Sequence, residues 1–85
     1  MAGQVMRLSE APQGKQLRIV DIVGGHGLRR RLMALGFHKD DLIERNSDAL
    51  FGGPILIKNL NCDTSVALGR GVAQKILVEV LDGQA

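Results

Sequence analysis

Residues 28–36 read LRRRLMALG, a stretch in which leucine recurs at helical spacing. The three leucines stand at i, i+4 and i+7, which places them on one side of a helix. Arg30 then faces the opposite side, and Gly36 stands where a left-handed C-cap belongs. The pattern predicts one α-helix over about residues 27–36. Because so short a helix is unstable alone in water, its leucine side must pack on the rest of the fold.

Short strand-like segments surround this helix. They are rich in β-branched residues and are bounded by glycine, proline or Asn/Asp turns, which is typical of strands. The first breaks its alternation, because Ile19 and Val20 are adjacent, and this predicts a bulge or burial on both faces. Residues 59–63 resemble a tight hairpin turn. The five predicted strands cover residues 17–23, 41–46, 54–60, 64–68 and 75–81.

These elements predict a mainly β fold. Five short strands, close turns and one early inserted helix suggest a small, strongly bent five-stranded barrel. Short helical turns are expected near residues 8–12 and 69–73. The chain of 85 residues has the length of one domain. The predicted organisation is a flexible extension over 1–5, one domain over 6–82 and a tail over 83–85.

Composition narrows the function classes. Eleven Lys and Arg against nine Asp and Glu give a net charge of +2, too balanced for a dedicated nucleic-acid coat. The only aromatic residues are Phe37 and Phe51, too few for the stacking platforms that bind single strands. The sequence therefore predicts no nucleic-acid partner.

The single cysteine, Cys62, has no partner for an internal disulfide, which fits a reducing compartment. No apolar run approaches the ~20 residues that cross a bilayer. The first residues also lack the apolar region of a signal peptide. We expect a cytoplasmic protein with no membrane span of its own.

The glycine-rich segment 24–27 precedes the helix and invites comparison with phosphate-binding loops. The dinucleotide fingerprint would need its third glycine where this chain has Arg30, and no Walker lysine follows. Two interpretations stay open: a flexible hinge that uses the conformational freedom of glycine, and a weak anion site.

The sequence predicts no catalytic, cofactor-binding or metal-binding residues. His26 and His38 are too scattered for metal-ligand spacing, and Cys62 stands alone in a turn. Asp40 and Asp41 are adjacent, and on an extended chain adjacent side chains point apart, which does not favour an acid/base pair.

Two features suggest partner binding. Residues 29–31 are three consecutive arginines, which a helix spreads over about 200°. They form a solvated face, a contact for an acidic partner or anionic membrane, or a contact for duplex DNA. Leu50 and Phe51 fall in a predicted turn or loop, where apolar side chains either bind a partner or fold back to close the barrel. The candidate partner-binding residues are Arg29, Arg30, Met33, Leu50 and Phe51.

Taken in order, several segments resemble the FeoA family of ferrous iron transport accessory proteins. The resemblance covers about residues 6–81, and it lies in the order and spacing of the segments more than in any one of them. The matching segments are the opening turn at 6–10, the first strand at 17–20, the basic helix at 28–36, the Leu-Gly-x-Pro-Ile-like connection at 49–55, and the closing strands at 66–68 and 76–80.

This resemblance implies an SH3-like barrel in the cytosol that acts beside FeoB, the membrane Fe²⁺ transporter with a cytosolic GTPase domain. It implies a non-enzymatic adaptor, since the family supplies no catalytic residues to carry over. The same barrel occurs at the C-terminus of iron-dependent repressors. The alternatives are therefore a metal-responsive regulatory module, whose Fe²⁺ ligands would come from His26, His38, Cys62 and the acids, and a small nucleic-acid-binding barrel. The oligomeric state stays open, weak self-association included.

Overall fold

The computed structural model describes residues 4–46 and 53–81. These residues form six strands, two α-helices and one 3₁₀ turn at Leu8–Glu10. The strands are β1 (Val5–Arg7), β2 (Gln16–Ile22), β3 (Leu42–Arg45), β4 (Ile55–Asn59), β5 (Thr64–Leu68) and β6 (Ile76–Val80), and the helices are α1 (His26–Ala34) and α2 (Arg70–Ala73).

All paired strands are antiparallel, and they form one sheet with the order β1-β6-β2-β3-β4-β5. Alternate side chains along each strand face the core, as the period of two requires. The structure confirms the predicted mainly β fold with one helix inserted after the first long strand. The buried apolar core consists of Leu8, Ala11, Leu17, Ile19, Ile22, Leu32, Phe37, Ile43, Ile55, Ile57, Leu68, Ala73, Ile76 and Val78.

The described residues contain six strands, where the sequence predicted five. The additional strand is β1, which pairs with β6 at one edge of the sheet. It begins at Val5, inside the segment predicted as an extension. Three residues are too few to show alternation, and Val5 is 52% exposed, so no buried face marked this strand in the sequence. The helical turns predicted near 8–12 and 69–73 are confirmed as the 3₁₀ turn and α2.

The predicted irregularity in the first long strand is a bulge. Ile19 is opposite Val78, whereas Asp21 is opposite Leu77, so β2 advances two residues while β6 advances one. This shift returns Ile22 to the core side, where it is buried. The bulge therefore reconciles adjacent apolar residues with a single core.

The end of α1 is a Schellman motif. Gly36 has φ +93°, its N–H donates to the carbonyl oxygen of Met33, and the N–H of Phe37 donates to that of Leu32. Leu32 and Phe37 are both buried, but Leu35 is 43% exposed. The prediction that all three leucines of the helix pack on the core is thus wrong for Leu35. The chain turns at Gly36, and Phe37 packs in the core instead of Leu35.

Candidate functional site

Helix α1 is fixed to the sheet at its start by the glycine segment that follows β2. Gly24 has φ +131°, a conformation that side chains rarely adopt, and a Cβ there would lie 3.3 Å from Cδ2 of Leu28. The backbone N–H of Val23 donates to the carbonyl oxygen of Lys75 over 2.7 Å. Gly24 therefore has a conformational role, and the turn holds the start of α1 beside the connection between α2 and β6.

Arg29, Arg30 and Met33 form a continuous exposed strip on α1, which we call the outer face of α1. Both arginines are exposed, and Met33 is 55% exposed. Met33 follows Arg29 by four residues and Arg30 by three, so its side chain neighbours both. Nη2 of Arg29 lies 3.4 Å from Oδ1 of Asp21, an exposed ion pair that leaves the guanidinium open to solvent. The structure thus brings together three of the five predicted partner-binding residues.

The other two predicted residues, Leu50 and Phe51, lie outside the described residues. Their assignment to a contact loop stays a prediction.

A cleft separates α1 from α2 on the side of α1 away from Met33. Its volume is about 530 Å³. Partly buried Leu28 and Val72 supply apolar surface, and Arg31 and Lys75 supply positive charge. We call it the α1–α2 cleft, and it is lined by Gly27, Leu28, Arg31, Gly71, Val72 and Lys75.

The sequence predictions missed the cleft. The sequence pattern places Arg31 in an arginine cluster and Lys75 at the start of a strand, with nothing that links the two residues. The pairing of β2 with β6 brings Arg31 and Lys75 to one cleft, because α1 follows β2 and α2 precedes β6. That pairing links residues far apart in the chain, and local sequence patterns do not report it.

A polar cluster centred on the buried side chain of Asn59 lies beyond the other end of α1. Asn59 belongs both to the predicted strand over 54–60 and to the predicted turn over 59–63, and in the structure it is the last residue of β4 and is fully buried. Its Nδ2 donates to the carbonyl oxygen of Gly36 over 2.7 Å and to Oδ2 of Asp41 over 3.1 Å. The same Asp41 oxygen accepts the backbone N–H of His38 over 2.8 Å.

These contacts change the acidity of Asp41. Its partial burial would raise the pKa of the carboxyl group, but the hydrogen bonds from the His38 backbone, the Asn59 amide and the His38 ring together lower that pKa. The carboxylate is therefore held in its charged form as an acceptor that joins β4 to the loop after α1. This cluster is structural in character, since its polar groups satisfy one another.

The candidate metal ligands of the sequence are not brought into one group. His26 begins α1, and His38 follows its far end. Cys62 is exposed, with its Sγ 4.0 Å from the carbonyl oxygen of Gly36. Within residues 4–46 and 53–81, no three His, Cys, Asp or Glu side chains converge on one point.

Within the same two ranges, no helix combines the length and the apolar character that crossing a membrane requires.

Residues 6–80 match the family model of the FeoA domain. No curated protein sequence matches the chain. The crystal structure of an iron uptake regulatory protein (FeoA) is 31% identical, covers 92% of this chain and 100% of its own, and superposes with a TM-score of 0.81. A FeoA-like protein from Clostridium acetobutylicum is 27% identical over 100% of this chain and 95% of its own, also with a TM-score of 0.81.

A manganese-dependent transcriptional repressor has the same fold in part of its length. It is 21% identical, and the match covers 95% of this chain but 44% of the repressor, with a TM-score of 0.81. At this identity the likeness shows the fold alone. Together these structures confirm the predicted SH3-like fold. Because the family model spans nearly the whole sequence, the chain belongs to the FeoA domain family.

Proposed function

We propose that this chain is a non-enzymatic accessory protein of ferrous iron uptake in the cytoplasm, which binds the cytosolic part of a FeoB-type membrane Fe²⁺ transporter and modulates it. Membership in the FeoA domain family supports the iron transport role. The proposal assigns the chain no catalytic step and no cofactor. Its action is that of a surface presented to a larger protein.

The observation that carries the proposed binding is the outer face of α1. Met33 is an apolar side chain left 55% exposed, and it is flanked by the cations Arg29 and Arg30. Methionine and arginine are both enriched in protein–protein interfaces, where an apolar centre is combined with polar contacts at its edge. An exposed methionine between two arginines fits a partner surface that is apolar at its centre and acidic around it.

The scaffold makes this face suitable for recognition. Leu32, in the buried stripe of α1, is 2% exposed and anchors the helix in the core. The Schellman motif fixes its end, and the Val23–Lys75 hydrogen bond fixes its start. A rigid helix loses little conformational freedom on binding, so more of the contact energy is available as affinity.

The test is co-purification of the full chain with the full-length transporter in detergent or nanodiscs. Arg30→Glu and Met33→Ser should each weaken binding by about tenfold, since hot-spot substitutions at interfaces cost about 1–2 kcal/mol or more. The matched control is Lys15→Glu, an exposed cation that precedes β2 at the end opposite to α1. It should leave binding within about twofold.

Two outcomes contradict the proposal in different ways. If the wild-type chain does not bind the transporter in membranes, the adaptor function is wrong. If the wild type binds and both folded variants bind equally well, the function stands and the outer face of α1 is the wrong surface.

A further inference from the structure

We propose that the α1–α2 cleft is a second binding site, which takes a short acidic peptide segment with an aliphatic side chain from a partner protein. The site is separate from the outer face of α1. The proposal rests on the residues that line the cleft, and it does not depend on whether the transporter binds the outer face of α1.

The charges that line the α1–α2 cleft are complementary to an anionic ligand. Arg31 lines the cleft from α1, and Lys75 lines it from two residues after the end of α2. No carboxylate is among the described residues that line it. Neither cation has an ion-pair partner within residues 4–46 and 53–81. By contrast, Arg29 on the outer face is paired with Asp21. Two cations that face one cleft without a carboxylate favour an anionic occupant.

The apolar lining of the cleft favours one kind of anion. Leu28 and Val72 are only partly buried, and both turn apolar surface toward the cleft. Covering that surface is favourable by roughly 25 cal/mol per Å². A small inorganic anion leaves it exposed, whereas an acidic peptide covers it with one aliphatic side chain. The volume of about 530 Å³ suits such a segment.

The two glycines of the cleft permit close approach of a second backbone. A Cβ added at Gly27 or at Gly71 would meet nothing within 4 Å, so the space next to each is open. Nucleic acid is less suited to this site, because single strands require aromatic platforms. Phe37, the aromatic residue of the described ranges, is buried in the core.

The experiment is a ¹H–¹⁵N NMR titration of the full chain with the end-capped peptide Asp-Asp-Leu-Asp-Asp. The expected shifts are confined to the residues around Gly27, Arg31, Gly71 and Lys75. Replacing the four aspartates of the peptide by asparagine, or its leucine by serine, should weaken binding by at least about fivefold. The fraction bound should fall as salt is raised.

Variants of the chain separate the two surfaces. Arg31→Glu and Lys75→Glu should each reduce peptide affinity by at least about fivefold, because an attraction becomes a repulsion. Arg31→Gln removes the charge without placing an acid in the last turn of α1, where the helix dipole disfavours it. Arg30→Glu, one residue away on the outer face, is the matched control and should change peptide affinity by less than about twofold.

Several results would overturn the proposal. Equal binding of the asparagine peptide would show that the ligand's negative charge is not recognised. Shifts centred on Met33, or unchanged affinity in Arg31→Gln and Lys75→Glu, would each show that the cleft is not the site. Tighter binding at the cleft of an oligothymidylate or of phosphatidylglycerol vesicles would assign it to another class of ligand. By contrast, loss of transporter binding in Arg30→Glu with peptide binding kept would support the proposal, because it would show that the two surfaces act independently.

Discussion

The side-chain amide of Asn59 donates a hydrogen bond to the backbone carbonyl oxygen of Gly36 over 2.7 Å. The donor lies at the end of β4 and is fully buried, and the acceptor is the residue that ends the turn after α1. The side-chain oxygen Oδ1 of Asn59 in turn accepts the backbone N–H of Asn61 over 2.8 Å. One amide thus joins the end of α1 to the sheet.

Asn59→Ala should lower the free energy of unfolding by about 1–3 kcal/mol, because the Gly36 carbonyl loses its side-chain donor and the Asp41 carboxylate loses one of its donors. Urea denaturation followed by circular dichroism measures the change. Asn46→Ala is the control, since Asn46 is exposed, and its effect should stay within about 0.5 kcal/mol. Equal stability of the two variants would mean that water replaces the lost donor.

Stability should decrease at acidic pH through Asp41. The pKa of this carboxyl group is lowered in the folded state from its ordinary 3.8, so the unfolded chain binds the proton first as pH falls. The contribution is therefore present above about pH 3.8 and is lost as pH falls through the lower folded pKa. Comparing urea midpoints of wild type and Asp41→Asn from pH 7 to pH 2.5 should show a gap that narrows below pH 4. A constant gap would contradict this account.

Substitution by alanine should lower the stability of the fold at Gly24 and raise it at Gly27. Gly24→Ala requires a side chain at φ +131° and at 3.3 Å from Leu28, so it should destabilise the fold by about 1–3 kcal/mol. Gly27→Ala lies within α1 in open space and should stabilise it by about 0.4–1 kcal/mol. Thermal unfolding of both variants measures the difference. A stabilising Gly24→Ala would show that the turn does not need glycine.

The leucines of α1 should differ in importance. Leu32→Ala removes a side chain that is 2% exposed and should cost about 2–5 kcal/mol. Leu35→Ala acts on a side chain that is 43% exposed and should cost less than about 1 kcal/mol. The same urea experiment compares them. If Leu35→Ala proved as costly as Leu32→Ala, Leu35 would be covered by something in solution, such as a second copy of the chain.

Much of the fold follows from local patterns in the sequence. The alternation in Thr64–Leu68 predicts β5 with the same bounds, and Gly36 marks the end of the helix. The adjacent apolar pair Ile19 and Val20 signals the bulge in β2. In each case the cause lies within a few residues, so the sequence alone reports it. The very short edge strand β1 carries no such pattern, because only its partner β6 makes it a strand.

The candidate site was predictable only in part. The exposed arginines and Met33 follow from helical spacing around the leucines, which local sequence provides. The burial of Asn59 and the cleft between Arg31 and Lys75 depend on which strands become neighbours. An asparagine near a turn is ordinarily exposed. Nothing in the residues next to Asn59 in the sequence indicates that the end of α1 will contact it.

The hydrogen bond from Val23 to Lys75 joins the two chain segments that lead into the α1–α2 cleft. Its donor follows β2 and its acceptor precedes β6. Helices α1 and α2 are therefore attached to adjacent ends of the β2–β6 pair. A motion that separates the end of β2 from the start of β6 lengthens this bond. Deuterium uptake at the Val23 amide should therefore report how often these two attachment points of the α1–α2 cleft separate, before any ligand has been identified.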